Sequence, residues 1–188
     1  MTEQSPLRAS LGRHLAGIAG IVESAETIEK MAAAIERTLS AGGRVLTCGN
    51  GGSAAEALHL AEEMIGCFGK KRIPLAAMCL ASDPTAITCI ANDYGYEEVF
   101  ARQVEGLGRK GDTLVALSTS GRSTNVLRGL QTARRLSLAT IGLLGKPGSP
   151  AEDLCDIALT VSVADSAQIQ EIHLLAIHLI LEHLEARF

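Results

Sequence analysis

Apolar positions in this chain recur with two periods, and the periods take turns along the sequence. Leu7, Leu11, Leu15, Ile18 and Ile21 stand three or four residues apart, which predicts an amphipathic helix over 7–22. Ser24 precedes a second helix, 25–39, with Ile28, Met31, Ile35 and Leu39 on one face, and Ala41-Gly42-Gly43 ends it. Short apolar runs then appear at 44–48, 75–80, 113–117, 139–143 and 157–161, each of strand length. Helical spacing fills 54–65, 84–91, 97–107, 124–136 and 167–186. Regular alternation of strand and helix predicts an α/β fold: a doubly wound, five-stranded parallel sheet with helices on both faces. Ligands of such sheets gather at the carboxyl ends of the strands, near the point where strand order reverses.

Two helices before the first strand are more than the sheet needs. The 1–40 segment is therefore expected either to wrap the domain edge or, the preferred reading, to lie in subunit contacts. No repeat, low-complexity stretch or linker divides the chain, so 1–188 reads as one domain. Lys146-Pro147-Gly148-Ser149-Pro150 is a surface turn too short to separate two.

Composition narrows the function. Of 188 residues, 47% are hydrophobic and 20% charged, with a formal net charge of −4. A mildly acidic chain without a basic run has no electrostatic footprint for nucleic acid. Five aromatics without tryptophan argue against base-stacking platforms. Five scattered cysteines without a C-x-x-C pair read as reduced, mostly buried thiols of a cytoplasmic protein. No segment has the layout of a signal peptide, and His178 and His183 interrupt the most apolar stretch, so no membrane span is expected.

Candidate chemistry concentrates at strand-to-helix junctions. Ser118-Thr119-Ser120-Gly121-Arg122-Ser123 places four hydroxyls where the third strand ends and a helix begins. Free backbone N–H groups and the positive end of the helix dipole make such a junction an anion site, and hydroxyls add donors without charge. Helix capping is the plainer use of one such serine. Cys48-Gly49-Asn50-Gly51-Gly52-Ser53 ends the first strand. Its glycines let a ligand approach the backbone, yet neither the dinucleotide fingerprint nor a phosphate-loop lysine is present. This stretch is either a tight turn or a cradle for a sugar or its phosphate. Asn92-Asp93, expected in a loop, suits substrate contact and turn formation equally.

The helix that follows the glycine-rich stretch carries His59 and Glu63 four residues apart, on one face, where they can form a hydrogen-bonded pair or chelate one ion. Gln170, Glu171, His173 and His178 stand in the apolar last helix. Gln170 and His178 lie about 12 Å apart along an ideal helix and about 80° apart around it, so both reaching one metal needs convergent side chains.

Taken together, Cys48–Ser53, His59-x-x-x-Glu63, Asn92-Asp93, Ser118-Thr119-Ser120-Gly121-x-Ser123 and Gln170-Glu171-Ile172-His173 with His178 resemble the phosphoheptose isomerase branch of the sugar isomerase (SIS) domain family. The likeness runs from about Leu39 to the C-terminus. It implies a flavodoxin-like strand order and a homotetramer with composite active sites. The implied reaction interconverts sedoheptulose 7-phosphate and D-glycero-D-manno-heptose 7-phosphate, feeding bacterial surface polysaccharide. By matching, Ser118, Thr119, Ser120 and Ser123 hold the phosphate. Asn50, Gly51, Gly52, Asn92 and Asp93 contact the sugar, with Glu63 and Gln170. His59, Glu63, Gln170 and His178 are matched zinc ligands, and Glu63 and His178 the matched acid/base pair. Cys67, where many members carry arginine, Ala167, where some carry aspartate, and Ala54-Ala55, where some carry a bulkier polar pair, depart from the pattern. The family also holds non-catalytic tetramers that bind the replication initiator, and other phosphosugar isomerases and etherases. Retention of His59, Glu63 and His178 favours the enzyme.

Overall fold

The computed structural model describes residues 5–188, so the first four residues of the expected 1–40 helical segment lie outside the described residues. Five strands, β1 (Val45–Cys48), β2 (Ala77–Cys79), β3 (Thr113–Ser118), β4 (Ala139–Leu144) and β5 (Ile157–Thr160), form one sheet of order β2-β1-β3-β4-β5. Every pairing is parallel. The chain steps from β1 to one side, then returns past it to β3. Strand order therefore reverses between β1 and β3, and their carboxyl ends open a crevice.

Among the described residues, seven α-helices surround the sheet: α1 (Pro6–Ala19), α2 (Ala25–Ser40), α3 (Gly52–Ile65), α4 (Pro84–Tyr94), α5 (Val99–Leu107), α6 (Thr124–Arg135) and α7 (Ser166–Glu185). Alternate strand residues feed opposite cores, as the two-residue side-chain period requires. Val45, Val115, Leu117, Ile141, Leu143 and Leu159 pack with α2, α3 and α7. Leu46, Cys48, Leu114, Ala116 and Leu144 pack with α5 and α6. β3, in the middle, is buried along its whole length.

The two leading helices differ. α2 buries Ile28, Met31, Ala32, Ala34 and Ile35 in the core, whereas α1 buries nothing and leaves Leu7, Leu11, Leu15 and the following Val22 more than half exposed. The expected helix over 7–22 stops at Ala19 and tightens into a 3₁₀ turn, Gly20–Ser24.

Three further expectations are corrected. The 75–80 run contributes only three residues to the ladder, because β2 is an edge strand with β1 alone for a neighbour. α4 runs through Tyr94, so Asn92-Asp93 is helical rather than a loop. The break comes at Gly95, whose φ of 95° ends the helix. Of the five thiols, Cys67 and Cys89 are exposed and only Cys48 and Cys79 fully buried. No helix among the described residues is long and apolar enough to cross a membrane.

Candidate active site

The loops after β1 and β3 meet across the crevice. Asn50 and Asn125 exchange two amide hydrogen bonds, Nδ2 to Oδ1 in each direction, both 2.8 Å. The Tyr96 hydroxyl donates to Asn50 Oδ1 at 3.0 Å. Asn50 thus ties its own loop to the first turn of α6 and to the segment after α4. A cavity of about 90 Å3 lies under this tie, lined by Asn50, Ser53, Ser118, Thr119, Ser123 and Gln170. It opens beside a wider hollow of about 540 Å3 bounded by Tyr96, Glu97, Thr124 and Asn125.

Backbone geometry shapes the serine loop. Ser118 Oγ accepts the Gly121 N–H at 3.1 Å, and Ser120 Oγ accepts the Arg122 N–H at 3.2 Å. Gly121 has a φ of 61°, and a Cβ there would stand 2.1 Å from Ser149 Oγ, so only glycine fits. Ser123 is the N-cap of α6 in extended conformation with its side chain uncommitted. In the first turn of α6 the Val126 N–H donates to Asn125 Oδ1 at 2.9 Å, which leaves the Thr124 and Asn125 N–H groups for an approaching anion.

α3 and α7 lie side by side and run in the same direction. At their N-terminal ends the Gln170 amide rests on Gly52, filling the space a Cβ would take: its Nε2 would be 2.3 Å from such an atom. Two turns further on, His59 Nε2 and His178 Nε2 stand 3.1 Å apart, and Glu63 Oε1 lies 4.0 Å from His59 Nε2. Glu62 Oε1 is 3.1 Å from His59 Nδ1. A carboxylate on Nδ1 holds the proton there and turns the Nε2 lone pair outward. Two imidazole nitrogens at 3.1 Å repel unless a proton or a cation sits between them. Nitrogens bound to one tetrahedral zinc stand about 3.3 Å apart, so the two imidazoles match that ion in type and spacing, and His59, Glu62 and Glu63 offer donor atoms within 4.8 Å of one another beside them.

The structure distributes the expected site residues unequally. His59, Glu63 and His178 come together within a single chain. Gln170 stays with the cleft, where Asn50, Ser118, Thr119 and Ser123 also lie. Ser120, Gly51 and Gly52 flank it on the same two loops. Asn92 and Asp93 bond to each other at 2.7 Å on exposed helix and do not line the cleft. Glu171 turns away to His14 on α1, 3.0 Å off, and His173 is fully buried in the core. Burial pulls the His173 imidazole down to about 4, the nearby Leu144 backbone opposing, and neither ring nitrogen has a hydrogen-bond partner in the protein. Asn125, Tyr96 and Glu62 escaped sequence reasoning. Glu62 sits within an i, i+3 pair that helical spacing could have flagged; Asn125 and Tyr96 carry no local signal.

Known proteins share this chain's sequence and fold. The model of the SIS domain matches residues 16–145. The phosphoheptose isomerase of a Nitratiruptor species is 49% identical over 145 residues, 77% of this chain and 78% of that one. That of Aliarcobacter butzleri is 47% identical over 168 residues, 89% of each. A solved phosphoheptose isomerase structure from Francisella tularensis superposes with a TM-score of 0.93 at 32% identity, covering 99% of this chain and all of the other. The chain belongs to the SIS domain family. Within it the chain falls with the phosphoheptose isomerases, and it is an enzyme of the aldose–ketose isomerase type.

Proposed function

We propose that this enzyme interconverts sedoheptulose 7-phosphate and D-glycero-D-manno-heptose 7-phosphate through an enediol. The observation that carries the reading is the two-station layout: an anion cleft at the strand tips, and a carboxylate with two imidazoles roughly 10 Å further along α3. A seven-carbon chain with its phosphate at one terminus and its carbonyl at the other suits that separation.

The Ser118, Thr119, Ser120 and Ser123 hydroxyls, with the first-turn amides of α6, take the phosphate. Asn50 and the Gly51-Gly52 backbone border the sugar, with Gln170 above Gly52. Glu63 moves the proton between adjacent carbons, and His178 serves the oxygen. Asn92 and Asp93, distant from the cleft within one chain, reach sugar only if a neighbouring subunit supplies them. His59, Glu63 and His178 would hold zinc, with Gln170 as a fourth donor after a side-chain swing. When bound, the metal polarises the carbonyl and steadies developing charge on oxygen. Glu63 Oε1 faces His59, which leaves Oε2 for the proton.

The exposed stripe Leu7, Leu11, Leu15, Ile18 and Val22 supports a homo-oligomer, a tetramer by family likeness; the chain's five unpaired cysteines suit the cytoplasm. Paired glutamates at Leu11 and Leu15 should give a smaller species in sedimentation. Elemental analysis with turnover of sedoheptulose 7-phosphate tests the chemistry: stoichiometric zinc and measurable isomerisation are expected. A metal-loaded, folded protein inert toward this sugar would overturn the substrate assignment.

A further inference from the structure

The α3–β2 connection, Gly66 to Pro74, carries two glycines, two lysines and no secondary structure, yet it is fastened at both ends. Three consecutive backbone N–H groups, of Phe68, Gly69 and Lys70, converge on the Glu185 carboxylate at 2.8, 2.8 and 3.1 Å. Such a run of amides is an anion nest. A Cβ on Gly69 would stand only 3.1 Å from Glu185 Oε2, so the close approach uses the glycine. At the other end, Arg72 donates to the carbonyls of Met64 at 2.8 Å and Glu63 at 2.7 Å, two that the end of α3 leaves free. Its Nε lies 3.9 Å from Glu185 Oε1, and the two side chains are only 3% and 7% exposed. The Gly69 amide, foremost among these contacts, holds the Glu185 carboxyl below its ordinary range.

What this fastening holds is Phe68. Its ring stacks on the His178 imidazole, centroids 5.1 Å apart and planes 29° apart. His59 meets the same imidazole edge-on, at 5.3 Å and 75°. His178 is thus held on one face and one edge, and Glu185 follows it by two turns on α7. The same clamp fixes the Glu63 backbone through Arg72. A functional imidazole must keep its ring within about 0.5 Å of the working position, and neighbours that lock its rotamer supply that.

We propose that Phe68, seated by the Glu185–Arg72 clamp, is a positioning residue that sets the orientation of the His178 ring. The proposal rests on the reading of His178 given above. Phe68 acts through His178 and touches no substrate.

The test compares Phe68→Leu, Phe68→Tyr, Glu185→Gln and the Phe68→Leu/Glu185→Gln double variant in the full-length protein. Zinc affinity is read by competition with a chromogenic chelator. Phe68→Leu should weaken it about tenfold, in the range seen when a ligand loses its supporting contacts. kcat should fall with it while KM for the sugar phosphate stays within about twofold, since the phosphate cleft is untouched. Phe68→Tyr, which keeps the ring, should restore both. Glu185→Gln should lose as much as Phe68→Leu, and the double variant no more than either, because one path is being cut. The imidazole resonances of His178 in nitrogen-15 spectra of the metal-free protein give a readout independent of zinc and of turnover. One ordered set is expected in wild type and an averaged, shifted set in Phe68→Leu. Unchanged resonances and unchanged zinc affinity in Phe68→Leu would overturn the proposal, as would a fully additive double variant. Wild type that lacks turnover but shows these ring changes would sink the substrate assignment and spare the clamp.

Discussion

At the strand tips, the candidate phosphate cleft is built from two short loops, Cys48–Ser53 and Ser118–Ser123, that end neighbouring strands of the sheet. Between α3 and α7, His59 and His178 meet across 119 positions of chain. The cleft offers mainly backbone amides and hydroxyls, held by φ values and helix starts, and its side chains are near-equivalents. The histidine station offers two imidazoles and the Glu63 carboxylate, with Glu62 on the far nitrogen of His59, held by the packing of two helices and one clamped loop. Removing a hydroxyl should therefore weaken binding, and removing an imidazole or carboxylate should stop chemistry. Altering the cleft's backbone should damage the fold itself.

The largest effect expected is on the helical station. Glu63→Gln and His178→Ala should each lower kcat about 10³-fold, the range for losing a general acid or base, with thermal unfolding little changed. Steady-state kinetics beside a melting curve decides this; near-normal kcat in either variant removes that residue's role. Next comes the cleft backbone. Gly121→Ala should cost about 3 kcal/mol, since alanine at a φ of 61° is strained and its Cβ meets Ser149. Adding Ser149→Gly should recover part of that in urea titrations, and no recovery would mean the strain is all in the backbone.

The buried His173 comes next, and it is pH-dependent. Its folded pKa of about 4 lies below the unfolded value near 6.5. The unfolded chain then binds more protons between those values, so stability falls as pH drops through that window, by about 2 kcal/mol between pH 7 and pH 5. Urea unfolding at both pH values measures it; His173→Gln should flatten the slope. Ser120→Ala, a test of the cleft alone, should raise KM for the phosphorylated sugar about tenfold and leave kcat unchanged. Equal KM with and without that hydroxyl counts against it. Glu56, on α3 between Gly52 and His59, gives a second pH-dependent test. Burial pushes its carboxyl up to about 8, the neighbouring Ser53 opposing, and neither oxygen has a hydrogen-bond partner in the protein. A raised folded pKa means stability is lost as pH climbs from about 4.5 towards 8. Glu56→Gln should therefore gain a few degrees on wild type at pH 8 and nothing at pH 4.5.

Much of the fold was legible because its signals are local. β3 and β4 are central strands, so their apolar runs are continuous and their bounds fall within a residue of expectation. β2 was over-read because its flanking Leu75 and Leu80 are buried by packing, outside the ladder. Asn92-Asp93 was read as a loop from composition, yet the helix continues until Gly95 takes a positive φ. The 1–40 segment shows two amphipathic helices of similar pattern. Only packing separates α2, seated on α7 and the sheet, from α1, left with its leucines exposed. Gln170 and His178 looked irreconcilable on one helix. The structure keeps them two turns apart, Gln170 against Gly52 and His178 against His59, so a shared metal still requires the Gln170 side chain to move.

By itself the sequence determined the alternation of strands and helices, the hydroxyl-rich junction after β3, the glycine-rich junction after β1, and the shared face of His59 and Glu63. Each follows from neighbours a few residues apart, whose geometry the backbone periods dictate. The tertiary structure alone decided that β1 and β3 would be adjacent, that Asn50 would pair with Asn125, that Glu185 would reach back to the amides after Cys67, and that His178 would arrive at His59. The three side-chain contacts among these span 75 residues or more. They form because burying the apolar faces of α3 and α7 on one sheet leaves few ways to lay the helices, and no short stretch of chain encodes that choice.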